Sequence, residues 1–245
     1  SDPRIFDFVD YITLDDGERP LASVLEHMEG VRPASALCRT FVRESGRVVF
    51  HDARDPDVSW AASGTPTLAG LPSSAYWHYR PTVQALQRFW GQRWNKLTLA
   101  HGCYWKRCTF CDTGLDYIAR YEPVAVDVIV ARIRALIAET GVRAFHFVDE
   151  AMPPALLARL ADRLIDERLS IAWFGNARFD AALGDLAPRL ARAGCVGITG
   201  GLETASARTM ALIDKGVTLE QGASVTAALA GAGLVVHAYL IYGFP

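Results

Sequence analysis

The feature that most constrains this chain is a group of three cysteines within nine residues, Cys103, Cys108 and Cys111. The next cysteine along the chain is Cys195. A cubane iron–sulfur cluster has four irons, so three thiolates leave one iron without a protein ligand, and a cofactor or substrate can bind there. Since electron-transfer ferredoxins normally supply four cysteines per cluster, the triplet predicts a reactive metal site.

A zinc site and a disulfide framework are alternative uses of these thiols. His101 could complete a Cys3His zinc site, although zinc ligands usually come in two separated pairs. A disulfide framework fits badly, because the chain is long and its five cysteines are an odd number. Cys38 and Cys195 stand alone in the sequence and are predicted to be buried, inert thiols.

Composition narrows the class of protein. The 245 residues are 51% hydrophobic and 21% charged, and the formal net charge is −2. No apolar run approaches the length of a bilayer span, which disfavours a membrane protein. Near-neutral charge without a basic block gives no electrostatic footprint for a nucleic-acid backbone, while RNA bound locally as a substrate stays open. Unpaired thiols fit a reducing cytoplasm, where we expect the protein to reside.

From residue 96 onward, short apolar runs alternate with longer amphipathic ones. Apolar runs predict strands at 96–101, 143–148, 171–174, 196–199 and 234–242. Helical spacing predicts helices at 124–139, from Pro153-Pro154 onward, and at 183–193, 204–213 and 219–230. This alternation implies an α/β fold with a parallel sheet and right-handed crossovers, and a ligand site at the carboxyl ends of the strands.

Polar or glycine-rich clusters follow each predicted strand and therefore share one edge of the sheet. In chain order they are the cysteine loop, Asp149-Glu150, Asn176 with Arg178, residues 200–204 and residues 242–245. Solvated loops would not be expected to concentrate these groups at one edge. The pattern favours a composite active site.

These residues resemble the core of the radical SAM (S-adenosylmethionine) enzymes over roughly residues 96–245. The likeness rests on the cysteine motif with an aromatic, Phe110, before its last cysteine, on the run 201–216, and on the run 239–245. Four residues separate the first two cysteines, whereas the commonest family spacing has three. The longer spacing affects the assignment to a subfamily more than it affects the prediction of a cluster.

The resemblance implies a role for each matching position. Cys103, Cys108 and Cys111 hold a [4Fe–4S] cluster, and the amino and carboxylate groups of SAM chelate the fourth iron. Phe110 and Ile241 lie near the adenine, Asp149 and Glu150 near the SAM amino group, and Glu203 and Lys215 near its ribose and carboxylate. Asn176 and Arg178 have weaker roles of the same kind. No catalytic residue is assigned.

Structural roles remain open for the same side chains. Asp149 and Glu150 could cap the helix that begins at Pro153-Pro154, and the segment around Ile241 could be core. Glu203 could be a solvated acid in a first helical turn, and Lys215 a cation at a helix end. Asn176 and Arg178 could lie in a solvated loop.

The implied activity is reductive cleavage of SAM to a 5′-deoxyadenosyl radical, with cobalamin-dependent methyl transfer or another C–H functionalisation as the outcome. Such an enzyme needs an external one-electron reductant of the flavodoxin or ferredoxin type and a small-molecule or peptide substrate. Two alternatives from other classes remain. One is a non-catalytic, zinc-stabilised binding module, and the other is a simple iron–sulfur electron carrier.

The chain is predicted to have two parts. Residues 1–95 resemble the tail of a cobalamin-binding domain plus a linker, with a strand, turn and helix over 10–28, a hairpin over 41–50 and aromatic residues from Tyr76 to Trp94 over the barrel mouth. Residues 96–245 are predicted to form a partial (β/α)6 barrel that stops before its sixth strand. The strand at 234–242 would then be an unpaired, apolar edge.

Overall fold

The computed structural model describes residues 2–72 and 93–244. These residues form two compact units. The first contains the residues up to Ser63 together with Leu115–Tyr117, and the second contains Gly64–Gly114 and the residues from Ile118 onward. The predicted aromatic cluster from Tyr76 to Trp90 lies outside the described residues.

The first unit is a small antiparallel sheet with one helix. Its elements are β1 (Tyr11–Thr13), α1 (Glu18–Met28), β2 (Thr40–Glu44) and β3 (Arg47–His51), with short 3-10 turns at Pro3–Asp7, Ala34–Ala36 and Trp60–Ala62. The strands pair in the order β1-β2-β3. The predicted hairpin is confirmed, because Ser45 and Gly46 turn it with φ of +47° and +79°. Its origin in a cobalamin-binding domain, and a boundary at residue 95, stay predictions.

The second unit contains the parallel sheet. Its strands are β4 (Asn95–Leu97), β5 (Ala100–His101), β6 (Glu122–Pro123), β7 (Ala144–Phe147), β8 (Ala172–Asn176), β9 (Cys195–Glu203) and β10 (Val235–Leu240). The short helix α2 (Asp116–Ala119) has its first two residues in the first unit and its last two in the second. The other helices of the second unit are α3 (Val126–Thr140), α4 (Pro154–Asp166), α5 (Ala181–Arg192), α6 (Ala207–Leu212) and α7 (Leu219–Gly231). Five strands pair in the order β10-β9-β8-β7-β4, and every pair is parallel.

This order confirms the predicted α/β fold with a parallel sheet, the arrangement expected of a partial barrel. The five strands are spatial neighbours in chain order. Since crossovers between parallel strands are right-handed in nearly all proteins, we expect the long helices to lie on one face of the sheet. That face is packed with fully buried side chains such as Phe145, Phe147, Trp173 and Ile198. The predicted stop of α3 is also confirmed, since Gly141 has a φ of +69° at its carboxyl end.

Two predicted strand boundaries were wrong. The strand at 96–101 is divided into β4 and β5, because the Leu99 and Ala100 amides donate to the Asp149 carboxylate instead of continuing the ladder. The strand at 196–199 continues to Glu203 as part of β9. Gly200 and Gly201 extend it, since they stay paired with β10.

β10 lies at one edge of the five-stranded sheet. Its residues from His237 to Leu240 are exposed, as is the apolar segment that follows, up to Tyr242. No helix in the described part of the chain is long and apolar enough to cross a membrane.

Candidate active site

The cysteine loop follows β5 and is fixed by main-chain contacts. Gly102 has a φ of +71°, and a Cβ there would lie 2.3 Å from the Arg120 carbonyl oxygen, so only glycine fits. The Cys103 N–H donates to the Ile118 carbonyl at 3.1 Å. All three loop cysteines are half-buried free thiols, whereas the predicted inert thiols Cys38 and Cys195 are fully buried.

The loop is also bound to the segment 212–216, which follows α6. The Trp105 indole N–H donates to the Asp214 carbonyl at 2.9 Å, and the Thr109 N–H donates to the Ile213 carbonyl at 3.0 Å. The Trp105 ring lies on Gly216, where an added Cβ would be 2.0 Å from the ring. Trp105 stands within the four residues that separate the first two cysteines, so the lengthened spacing supplies this contact.

Burial and nearby charges act in opposite directions on two of the loop thiols. Burial is the main cause that raises the pKa of the Cys108 and Cys111 thiols, and Cys103 acts on both in the same direction. The positive charge of Lys215 lowers the pKa of both thiols. A cation beside the thiols favours the thiolate form, which is the form that binds iron.

The donor set fits an iron–sulfur cluster. In a cubane cluster each cysteine binds a different iron, so the ligands surround a bulky group and need not converge on one point. Three half-buried free thiols on one loop, near a lysine, meet that requirement. Within residues 2–72 and 93–244, no three His, Cys, Asp or Glu side chains are placed to hold a single metal ion, so the Cys3His set with His101 is not formed there.

Glu203 and Lys215 form a buried ion pair at the carboxyl end of β9. Lys215 Nζ lies 2.6 Å from Glu203 Oε1, and the side chains are 8% and 9% exposed respectively. Glu203 has a φ of +63°. A Cβ at Gly201 would lie 1.8 Å from the Glu203 carboxylate, so the pair occupies the space that any other residue would fill. Neither charge is a solvated surface group.

Arg178 belongs to the same cluster and is 6% exposed. Its Nη2 donates to the Lys215 carbonyl at 2.7 Å, and its guanidinium lies 4.0 Å from the centre of the Trp105 ring. Asp180 accepts from Nε and Nη2 at 3.3 and 3.1 Å. Nη1 is buried and has no hydrogen-bond partner among the described residues. Such an atom costs about 1–3 kcal/mol, so the site has an unused cationic donor for an anionic ligand.

Apolar side chains flank the ion pair. The Phe110 ring is 43% exposed, lies 5.9 Å from Lys215 Nζ and contacts the Phe244 ring edge-on at 6.0 Å. The Ile241 N–H donates to the Glu203 carbonyl at 2.8 Å, and Ile241 is 38% exposed. Both predicted adenine neighbours are therefore partly exposed, and their contact with adenine stays a prediction.

The Asp149 side chain connects the segment after β7 to Leu99 and Ala100, at the break between β4 and β5. Its carboxylate accepts from the Leu99 N–H at 3.0 Å and from the Ala100 N–H at 2.8 Å. Burial raises the pKa of Asp149 to about 7, and these N–H groups act in the opposite direction. Glu150 is exposed, and α4 begins at Pro154 with Pro153 as its N-cap residue and without a side-chain cap. Neither acid is the predicted cap, and their contact with the SAM amino group stays a prediction.

The Asn176 side chain joins neighbouring strand ends. Its Nδ2 donates to the Asp149 carbonyl at 3.2 Å, and its Oδ1 accepts from the hydroxyls of Thr199 and Tyr239. Asn176 therefore lies at the carboxyl end of β8, and its side-chain amide is hydrogen-bonded to other groups of the protein. Its predicted role toward SAM is untested.

Sequence reasoning missed two groups that position the cysteine loop. Trp105 connects the loop to Arg178 and Gly216, and the Tyr104 hydroxyl donates to the Asp180 carboxylate. The available signal was the Tyr-Trp pair inside the lengthened spacing between Cys103 and Cys108.

A family comparison agrees with this geometry. The protein-family model described as the Radical SAM superfamily matches residues 97–245, which is more than half of the chain. The chain belongs to the radical SAM superfamily. The matched region contains the three cysteines, the Glu203–Lys215 pair, the last residue of β4 and the four other strands of the parallel sheet.

Individual relatives are more distant. The uncharacterised methyltransferase PH0819 of Pyrococcus horikoshii is 21% identical over 239 residues, which cover 97% of this chain and 50% of that protein. Among solved structures, the cobalamin-dependent SAM radical enzyme OxsB aligns with a TM-score of 0.72 at 18% identity, covering 98% of this chain and 35% of OxsB. The radical SAM methyltransferase TsrM of Kitasatospora setae aligns with a TM-score of 0.73 at 16% identity, covering 99% and 48%.

These structural similarities show the shared fold. The chain spans about half the length of the curated relative it matches, and less than half of OxsB and TsrM.

Proposed function

We propose that this chain is the core of a radical SAM enzyme that binds a [4Fe–4S] cluster through Cys103, Cys108 and Cys111, and that the whole protein uses cobalamin to transfer a methyl group. The family match supports the cluster and SAM. The names of PH0819, OxsB and TsrM support a methyltransferase that works with cobalamin. When bound, the reduced cluster supplies one electron to SAM so that a carbon–sulfur bond can break.

The observation that carries the proposal is the cationic cluster beside the thiols. Lys215 and Arg178 both act on the Cys108 thiol, and Arg178 Nη1 has no protein partner within the described chain. SAM has a carboxylate that needs a cationic partner close to the open iron. The stacking of Arg178 on Trp105 fixes the guanidinium plane, and a fixed guanidinium is suited to binding a carboxylate directionally.

The Glu203–Lys215 pair has a second role in this proposal. The Lys215 ammonium lies 2.6 Å from the Glu203 carboxylate, which balances its charge. Arg178 is therefore the stronger cationic partner for an anionic ligand. Within residues 2–72 and 93–244, the second carboxylate oxygen of Glu203 accepts no hydrogen bond, and this oxygen suits the hydroxyls of a ribose. The exposed faces of Phe110 and Ile241 suit a planar base. The predicted roles of these four residues and of Arg178 are part of the proposal.

The reaction requires partners outside this chain. We propose a flavodoxin or ferredoxin as the one-electron donor, since the cluster must be reduced before each cleavage. The substrate is a small molecule or peptide that occupies the barrel.

The test is anaerobic reconstitution of the chain with iron and sulfide. We expect about four irons per chain, as in a cubane cluster, and a change in the electron paramagnetic resonance spectrum of the reduced protein when SAM is added. Replacing any one of the three loop cysteines by Ala should abolish the iron absorbance. Cys38→Ala and Cys195→Ala are matched controls because these thiols lie apart from the loop, and they should retain it.

The alternatives predict different results. One zinc per colourless chain would favour the binding module, and a brown protein whose spectrum ignores SAM would favour the electron carrier. Arg178→Met should weaken the response to SAM, whereas Arg189→Met, which removes an exposed arginine from α5, should not. With reductant present, formation of S-adenosylhomocysteine would indicate use of the SAM methyl group, whereas 5′-deoxyadenosine alone would contradict methyl transfer.

A further inference from the structure

Asp180 occupies the N-cap position of α5, yet its side chain does not cap the helix. Its backbone has the extended conformation of an N-cap residue, and its carboxylate makes no hydrogen bond to the first turn. Aspartate is among the best N-cap residues, because the first N–H groups of a helix need an acceptor. The Asp180 carboxylate is therefore committed to other partners, at a cost in helix stability.

These partners lie on the cysteine loop and in the buried cationic cluster. Asp180 Oδ1 accepts from Arg178 Nε and Nη2 at 3.3 and 3.1 Å, and Oδ2 accepts from the Tyr104 hydroxyl. The Tyr104 ring also lies against the guanidinium, with 5.6 Å between the ring centre and Arg178 Cζ. Tyr104 directly follows Cys103 in the sequence. One carboxylate thus connects the start of the cysteine loop to Arg178.

The protein contacts of Arg178 hold all of its guanidinium except one nitrogen. Asp180 binds Nε and Nη2, the Lys215 carbonyl also accepts from Nη2 at 2.7 Å, and the Trp105 ring lies at 4.0 Å. Nη1 is buried and has no hydrogen-bond partner within residues 2–72 and 93–244. A planar guanidinium held at two of its nitrogens cannot rotate freely, so the Nη1 donors have a fixed direction. Fixed donors bind a ligand at a lower entropic cost than mobile ones.

Asp180 balances the charge of Arg178 less closely than Glu203 balances that of Lys215. The shortest nitrogen–oxygen distances are 3.1 and 2.6 Å, and the Asp180 side chain is 25% exposed whereas that of Glu203 is 9% exposed. Asp180 also accepts from Tyr104, so its negative charge is shared between two donors. Water screens a partly exposed charge. Arg178 therefore keeps part of its attraction for an anion while its orientation is fixed.

We propose that Asp180 is a positioning residue for SAM, and that together with Tyr104 it holds Arg178 so that Nη1 is directed at the SAM carboxylate. This inference rests on the proposed function, in which Arg178 binds that carboxylate, and adds the two side chains that set the direction of the donor. It gives the lengthened spacing between Cys103 and Cys108 a role in SAM binding, because Tyr104 lies within it.

The test compares SAM with decarboxylated SAM on the anaerobically reconstituted chain. Decarboxylated SAM keeps the adenosine, the sulfonium and the amine, and lacks only the carboxylate. The cluster is kept oxidised so that SAM is not cleaved. Equilibrium dialysis with labelled SAM gives its dissociation constant, and competition gives that of decarboxylated SAM. The native chain should bind SAM more tightly than decarboxylated SAM.

Asp180→Asn removes the charge with little change of shape, and Asn caps a helix as well as Asp does. It should weaken SAM binding about tenfold, because the charge-assisted hydrogen bond from Nη1 loses its alignment. The affinity for decarboxylated SAM and the iron content should not change. Tyr104→Phe keeps the ring without the hydroxyl and should have the same effect, with a smaller loss.

Matched controls and a double variant show whether Asp180 acts through the arginine. Asp185→Asn removes an exposed charge from α5, and Tyr11→Phe removes a hydroxyl from β1, so both should leave the two affinities unchanged. In the Arg178→Met background, Asp180→Asn should cause no further loss of SAM affinity, because the group that it positions is already absent.

Three results would overturn the inference. Tighter SAM binding by Asp180→Asn would mean that the carboxylate acts by charge alone, since removal of a negative group favours an anion. Equal weakening of both ligands, or a loss of iron, would assign Asp180 a structural role. Unchanged SAM affinity would mean that Arg178 needs no positioning.

The two proposals can be separated by the native chain. If it binds no SAM, or binds decarboxylated SAM equally well, the proposed role of Arg178 is wrong and the inference fails with it. If it prefers SAM and Asp180→Asn keeps the same preference and affinity, only the positioning role is wrong.

Discussion

Gly216→Ala tests whether the contact between Trp105 and the segment 212–216 fixes the cysteine loop. Gly216 has a φ of +71°, which costs an L-residue about 1–2 kcal/mol. The added Cβ would also lie 2.0 and 2.1 Å from two carbons of the Trp105 ring. The ring must move, and it then loses its hydrogen bond to Asp214 and its stacking on Arg178.

A matched control separates these two costs. Gly233 has a φ of +81°, and a Cβ there would have no atom within 4 Å. Gly233→Ala should therefore cost only the backbone term. Overpacking typically adds about 1–3 kcal/mol, so Gly216→Ala should lower the free energy of unfolding by about that much more than Gly233→Ala. For a chain of this size the difference is about 2–12 °C in Tm.

The assay combines thermal unfolding with iron content. Because displacement of Trp105 frees the loop, Gly216→Ala should bind less iron than Gly233→Ala after identical anaerobic reconstitution. Equal melting temperatures and equal iron in the two variants would refute the reasoning, since the Trp105 contact would then contribute nothing to the loop.

Three further predictions concern other parts of the chain. Glu203→Ala should lower the free energy of unfolding by about 3–5 kcal/mol, because it leaves Lys215 buried without its partner. In urea denaturation, the double variant with Lys215→Met should lose less stability than the sum of the two single variants, and additive losses would contradict the buried pair. Since the folded pKa of Asp149 is raised to about 7 from 3.8, its contribution to stability is complete below about pH 4 and is lost as the pH rises to about 7. The stability of Asp149→Asn relative to the native chain should thus increase over that range, and a constant difference would argue against the raised pKa. Leu240→Lys on the exposed edge strand should reduce self-association in size-exclusion chromatography, whereas Leu21→Lys, at similar exposure on α1, should not; equal effects would remove the edge as the cause.

Much of the fold follows from local patterns. The alternation of apolar runs and amphipathic segments predicted the parallel sheet, since each segment's period depends on its own residues. Gly141 ended its helix as predicted, because a left-handed residue is a local requirement. The spacing of the three cysteines is a local pattern as well, and it indicates a shared ligand without reference to the strands. The sequence by itself therefore determined the fold class and the thiol group.

Tertiary structure decided what the polar side chains contact. The Asp149 carboxylate accepts hydrogen bonds from the N–H of Leu99, 50 positions earlier. This contact divides the first predicted strand into β4 and β5. Trp105 reaches the carbonyl of Asp214, 109 positions away, and Lys96 meets His146 only because β4 and β7 pair in one register. These contacts depend on which strands are neighbours and how they are aligned, and a shift of one residue would move each side chain to the opposite face of the sheet. Local sequence patterns do not contain that alignment, because packing of the whole unit sets it.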